Sequence, residues 1–156
     1  MAFNGPIDDR YFEDYVAGEV HDCGSIAVET DEVIAFARRF DPQTFHVDPE
    51  GAKRTPFGGL IASGWHTAAL AMRLFADHYL SQVASLASPG LEELRWLAPV
   101  RPGDTLSVRV TVVKATPSRS KPDRGIVTSL VEAFNQRDEA VMTFRCINFI
   151  GRRAAG

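Results

Sequence analysis

Residues 62–86 read ASGWHTAALAMRLFADHYLSQVASL, and this stretch decides the fold. Over residues 65–86, Ala68, Ala69, Leu70, Ala71, Met72, Leu74, Phe75 and Ala76 cover nearly every face of a helix. A helix apolar all round is a buried one. Ser63 reads as its N-cap and Gly64 as its first helical residue. Beyond Pro89-Gly90 the texture changes to runs rich in Val, Thr, Phe and Ile over residues 91–97, 105–115, 126–134 and 140–150. These are strands, and Arg101-Pro102-Gly103-Asp104 and Gln136-Arg137-Asp138 are turns between them.

Working outward toward the N-terminus, residues 19–28 form a strand, and Thr30 stands as an N-cap before Asp31 and Glu32, acids at the positive end of a helix. Val33, Ile34, Phe36, Ala37 and Phe40 follow at helical spacing. Pro42 stops that helix at about Asp41. Residues 41–59 then hold Pro42, Pro49, Pro56, Gly51, Gly58 and Gly59, a loop with at most a short turn at 49–53. One strand, a helix, a long loop, a buried helix and four meandering strands predict an α+β domain, an antiparallel β-sheet wrapped around a long central helix. Such a sheet has two open edges, and pairing with a second copy removes one. A homodimer is expected, with room for a dimer of dimers.

The chain has 156 residues, 45% hydrophobic and 24% charged, with a formal charge of −3 from 17 basic and 20 acidic side chains. It reads as a single domain over 1–156 that is large enough to close one core. The balanced charge supplies little phosphate-neutralising potential, so no nucleic-acid partner is expected. Asp8, Asp9, Glu13 and Asp14 near the start do not suit a signal peptide, and no run approaches the ~18 apolar residues of a membrane span. A cytoplasmic protein with no membrane partner follows. Cys23 and Cys146 read as buried thiols, and no cysteine or histidine cluster has metal-ligand spacing.

Chemistry concentrates in Asp41-Pro42-Gln43-Thr44-Phe45-His46-Val47-Asp48-Pro49, where a carboxylate and an imidazole stand five residues apart beside the buried helix. Such a pair can activate water. The same residues also read as a turn cap and a satisfied loop histidine. At the helix start, free amides at Gly64 and its neighbours could hold a carbonyl oxygen as it becomes negative. That start also reads as an ordinary capped helix. Ser63 is not in a G-x-S-x-G elbow, and no dinucleotide or P-loop fingerprint is present.

Phe36-Ala37-Arg38-Arg39-Phe40-Asp41 through His46-Val47-Asp48, then Phe57-Gly58-Gly59-Leu60-Ile61-Ala62-Ser63-Gly64, resembles the hydratase motif of the MaoC-like dehydratases, the (R)-specific enoyl-CoA hydratase group of the hot-dog fold. Leu94-Arg95-Trp96-Leu97-Ala98-Pro99-Val100-Arg101-Pro102-Gly103-Asp104 is similar to the strand and turn that follow the family's central helix. The resemblance runs over roughly residues 12–149. It implies a hot-dog fold, dimerisation and a tunnel for an acyl thioester. Asp41 and His46 become the hydration dyad and Gly64 the holder of the thioester oxygen. No metal or redox cofactor is implied, coenzyme A entering as part of the substrate. Gln43 and Thr44 replace the family's usual Asn and Pro in the spacer, and Ser63 stands where the family often has His.

Ser63, Gln43, Phe57 and Trp65 are the expected substrate contacts around the dyad. Arg95, Arg101, Arg119, Lys121 and Arg124 can all meet coenzyme A phosphates. The loop over 118–124 concentrates Arg119, Lys121 and Arg124 and is the preferred contact. Trp65 and Trp96 read as core or tunnel wall, and His66, one turn into the central helix, could line the pocket. A hydratase or dehydratase is the leading function. A hot-dog thioesterase and a non-catalytic acyl-CoA binding module are the alternatives.

Overall fold

Strand alternation builds the sheet. In the computed structural model, which describes residue 3 and residues 5–154, β3 (Thr105–Pro117), β4 (Arg124–Phe134) and β5 (Ala140–Gly151) pair antiparallel in a meander. On β4 the inward positions are Gly125, Val127, Ser129, Val131 and Ala133, alternating with half-exposed neighbours. This is the period of two that a one-sided sheet requires. β1 (Val20–Ala27) pairs with β3, and β2 (Gly90–Trp96) pairs with β5, giving the order β1-β3-β4-β5-β2. The meander expected of the last four strands therefore holds for three. β2 lies at the far edge, so residues 97–104 must pass the ends of β5 and β4 before β3 begins.

The central helix α4 (Gly64–His78) lies against the inner face, burying His66, Thr67, Leu70, Ala71, Leu74 and Phe75. These join Val108, Val110, Val131 and Phe144 in the core. Two expectations for this helix need correction. It stops at His78, eight residues short of Leu86, because partners from the N-terminal segment satisfy its last carbonyls: Arg10 donates to the His78 and Tyr79 carbonyls at 2.9 and 3.1 Å, and the Tyr15 hydroxyl donates to the Tyr79 carbonyl at 2.7 Å. A cation at the negative end of a helix also complements its dipole. Nor is the helix buried all round: Trp65, Ala69, Met72, Arg73 and Asp77 form an exposed stripe.

α1 (Thr30–Phe40) starts at Thr30, with Glu29 as an N-cap that makes no side-chain bond. Asp31 and Glu32 occupy its first turn and Arg38 and Arg39 its last, both complementing the dipole. It ends where Pro42 requires, the Asp41 N–H bonding to the Ala37 carbonyl at 2.8 Å. The following loop is more regular than its composition suggests. It contains two single-turn helices, α2 (Thr44–Val47) and α3 (Pro49–Ala52), the second capped by Asp48, which accepts from the Glu50 N–H. Cys23 and Cys146 are free and buried. Among the described residues no helix is long and apolar enough to cross a membrane.

Candidate active site

The end of α1 and the single turn of α2 bring Asp41 and His46 together. The His46 Nε2 lies 3.2 Å from the Asp41 Oδ2. On its other side the ring is anchored: Nδ1 is 2.7 Å from the Ile61 carbonyl oxygen, which can only accept, so Nδ1 carries a proton. The Ile61 N–H in turn donates to the Phe45 carbonyl at 2.9 Å, and the Ala62 N–H to the Val100 carbonyl at 2.7 Å. The segment leading into α4 is thereby pinned on both sides, and the imidazole is held by it. With Nδ1 protonated, Nε2 and the carboxylate are complementary when one proton lies between them.

Asp41 is the better supported partner. Gln43 Nε2 donates to its Oδ1 at 2.7 Å, and the Ser63 hydroxyl donates to its Oδ2 at 2.7 Å. Burial pushes the carboxyl up, but the hydrogen bonds from Gln43 and Ser63 and the adjoining His46 outweigh it and hold the group below its ordinary value. Ser63, fully buried, also caps α4 by accepting from the Trp65 N–H at 3.3 Å. One side chain thus couples the start of the helix to the carboxylate.

Gly64 opens α4, and its N–H donates to no acceptor among the described residues. The Trp96 ring packs against its Cα so closely that any side chain here would run into the indole, whose Nε1 donates to the Gly64 carbonyl at 2.9 Å. Gly64 and His46 line one cavity of about 310 Å³, together with Phe57, Ile61, Ala62, Thr67 and the Trp96–Val100 segment. The cavity therefore brings an imidazole, a helix-start residue with a free amide and a mainly apolar wall together, with the Asp41 carboxylate behind the imidazole at 3.2 Å.

Of the sequence-derived candidates, Asp41, Gln43, His46, Ser63, Gly64 and Phe57 come together. Trp65 stands outside the cavity walls, exposed and packed edge-on to Trp96 with centroids 5.2 Å apart. Arg119, Lys121 and Arg124 do not join the group. Arg119 and Lys121 sit in the β3–β4 turn and Arg124 opens β4, and β3 separates that turn from its Thr105 end by about 40 Å of strand. His66 faces α1, not the cavity. Residues 97–100, which line the cavity, carry no polar signal and were not singled out as wall by the sequence.

The sequence matches the MaoC like domain over residues 14–133. It is 30% identical over 127 residues to the 3-hydroxyacyl-thioester dehydratase Z of Mycobacterium tuberculosis, covering 80% of this chain and 84% of that one. The structure is similar to the crystal structure of a MaoC-like dehydratase from Rhodospirillum rubrum, with a TM-score of 0.86, 44% identity, and coverage of 93% and 99% of the two chains. It also matches one half of a double hot-dog fold protein from Mycobacterium tuberculosis, with a TM-score of 0.80 and 18% identity over 97% of this chain and 47% of that one. The five-stranded antiparallel sheet around α4 is the hot-dog fold.

Proposed function

The chain belongs to the MaoC-like dehydratase family, and from that premise we propose that it is an acyl-thioester hydratase or dehydratase, adding water reversibly to a trans-2-enoyl-CoA to give a 3-hydroxyacyl-CoA. The observation that carries the reading is that His46, paired with Asp41 at 3.2 Å, lines the same cavity as Gly64. In the hydration direction a water held by the pair loses a proton to it as its oxygen bonds to the β carbon. The electron pair of the double bond moves toward the carbonyl, and the thioester oxygen gains charge at the Gly64 N–H. A proton from the dyad then goes to the α carbon, so the sum is addition of one water. Dehydration is the reverse.

In this reading coenzyme A is part of the substrate and no further cofactor takes part. The protein works in the cytoplasm as a homodimer. The β2 edge carries exposed Leu91 and Trp96 beside Leu97, next to the Trp65 and Met72 stripe of α4, and a second copy meets the chain there.

The test follows loss of enoyl-thioester absorbance with a panel of trans-2-enoyl-CoAs while free thiol is assayed in the same tubes. Absorbance loss without thiol is the expected outcome. Thiol release would make the protein a thioesterase, and binding without turnover would make it an acyl-CoA binding module.

A further inference from the structure

The hydratase reading leaves the carrier end of the thioester without a partner. We propose that Arg101 binds the phosphate at the end of the pantetheine arm, at the mouth of the catalytic cavity. The proposal rests on the acyl-thioester reading and names the part of the substrate that reading leaves unassigned.

Ion pairing narrows the choice, leaving Arg101 among the arginines, Arg54, Arg95 and Arg119 included, that have no carboxylate partner among the described residues, and position then selects it. Arg73 pairs with Asp77 at 2.8 Å, Arg137 with Glu139 at 2.9 Å, Arg145 with Glu93 at 3.3 Å, and Arg153 with both Asp9 and Asp14 at 3.0 Å. Arg124, in the turn first expected to meet phosphate, is occupied by Asp123 at 2.9 Å. Among the described residues the Arg101 guanidinium has no carboxylate partner. The acid nearest it in sequence, Asp104, is engaged elsewhere: one oxygen accepts from the Arg101 backbone N–H at 2.9 Å and the other from Gln136 Nε2 at 3.0 Å.

Position supplies the second argument. Arg101 Nη2 donates to the Phe57 carbonyl at 2.7 Å, and Nη1 lies against Gly59. Phe57 and Val100 both line the cavity. The guanidinium is therefore fixed at the rim by one of its five N–H groups, and the others remain for an anion. From Gly59 to the Gly64 amide is five residues of chain, at most ~18 Å. That limit keeps the rim within reach of an extended pantetheine arm whose thioester oxygen sits at Gly64.

Coenzyme A and a carrier protein's phosphopantetheine share this phosphate, and the experiment separates them. One acyl group, trans-2-butenoyl, is presented on coenzyme A, on a phosphopantetheinylated acyl carrier protein, and on pantetheine that lacks phosphate. Arg101→Gln keeps an amide able to donate to the Phe57 carbonyl while removing the charge. It should lower kcat/KM on a phosphorylated thioester about tenfold or more, mainly through KM, and leave the pantetheine thioester within about twofold. A loss with the coenzyme A thioester alone assigns the nucleotide end, and a loss with the carrier protein assigns its phosphodiester. Arg124→Gln should leave all three unchanged.

Equal losses with and without phosphate would make Arg101 only a latch on Phe57 and overturn the proposal, as would no loss at all. If the wild-type protein turned over none of the three, the hydratase reading would fall by itself. Calorimetric binding of coenzyme A would then still decide the arginine, a Kd raised about tenfold in Arg101→Gln upholding it and an unchanged Kd overturning it.

Discussion

His46 and His66 are both buried, and each holds Nε2 near a carboxylate oxygen, 3.2 Å from Asp41 and 3.1 Å from Glu32. Their surroundings diverge from there. His46 is anchored through Nδ1 by the Ile61 carbonyl, and its carboxylate takes two further hydrogen bonds from Gln43 and Ser63. His66 stacks on Phe36 with centroids 4.8 Å apart, its Nδ1 finds no hydrogen-bond partner among the described residues, and Glu32 is 54% exposed. His46 lines the cavity together with Gly64, whose N–H has no acceptor among the described residues. A histidine beside a carboxylate becomes a site through what fixes the ring and what the pair can reach. The His66 pair instead joins α1 to α4.

The comparison would break first at the dyad. Asp41→Asn and His46→Ala are each expected to lower hydration of an enoyl thioester by about 10² or more with the circular dichroism of the fold retained. The double variant should be little worse than either single one, because the two groups act as a unit. Multiplicative losses would mean independent roles. Next comes Gly64→Ala, whose methyl displaces Trp96 or the first turn of α4. A loss of roughly 10² in kcat is expected, the scale of losing one oxyanion donor.

Ser63→Ala sharpens the comparison through pH. With Ser63 and Gln43 bonded to it, the Asp41 carboxyl stays ionised to lower pH than an ordinary aspartate. Losing the Ser63 donor raises the carboxyl, so the acid limb of a kcat/KM profile should move to higher pH, with activity reduced about tenfold. The depressed carboxyl also contributes stability that is fully present above the ordinary carboxylate value and is lost as pH falls through the lowered one. Loss of the α4 cap should cost a further ~1 kcal/mol in denaturant titration. Smallest of all is Glu32→Gln, expected to leave turnover within about twofold and stability within about 1 kcal/mol, as for a contact whose carboxylate is half exposed and whose partner keeps an amide to bond.

The closeness of Asp41, His46 and Gly64 was legible from local signals, a proline that ends α1, a short spacer and a serine cap before glycine, while their roles rest on the family resemblance. The strands were legible from their richness in Val, Thr, Phe and Ile between turn residues, to within a few residues at each end. What escaped depends on distant partners. The end of α4 at His78 is set by Arg10 and Tyr15, more than sixty residues away in the chain. The place of β2 beside β5 is a matter of strand order, which no local pattern encodes. The loop over 118–124 stands out by its charge density, yet hairpin geometry carries it to the other end of the sheet, whereas Arg101, another of the five basic residues expected to suit phosphate, lies at the cavity rim.

The most direct measurement follows hydration of trans-2-butenoyl-CoA by the wild-type protein, Asp41→Asn and Glu32→Gln in parallel. A loss of about 10² or more in Asp41→Asn, with Glu32→Gln close to wild type, is the predicted result. A folded Asp41→Asn protein that hydrates as fast as wild type would contradict the account.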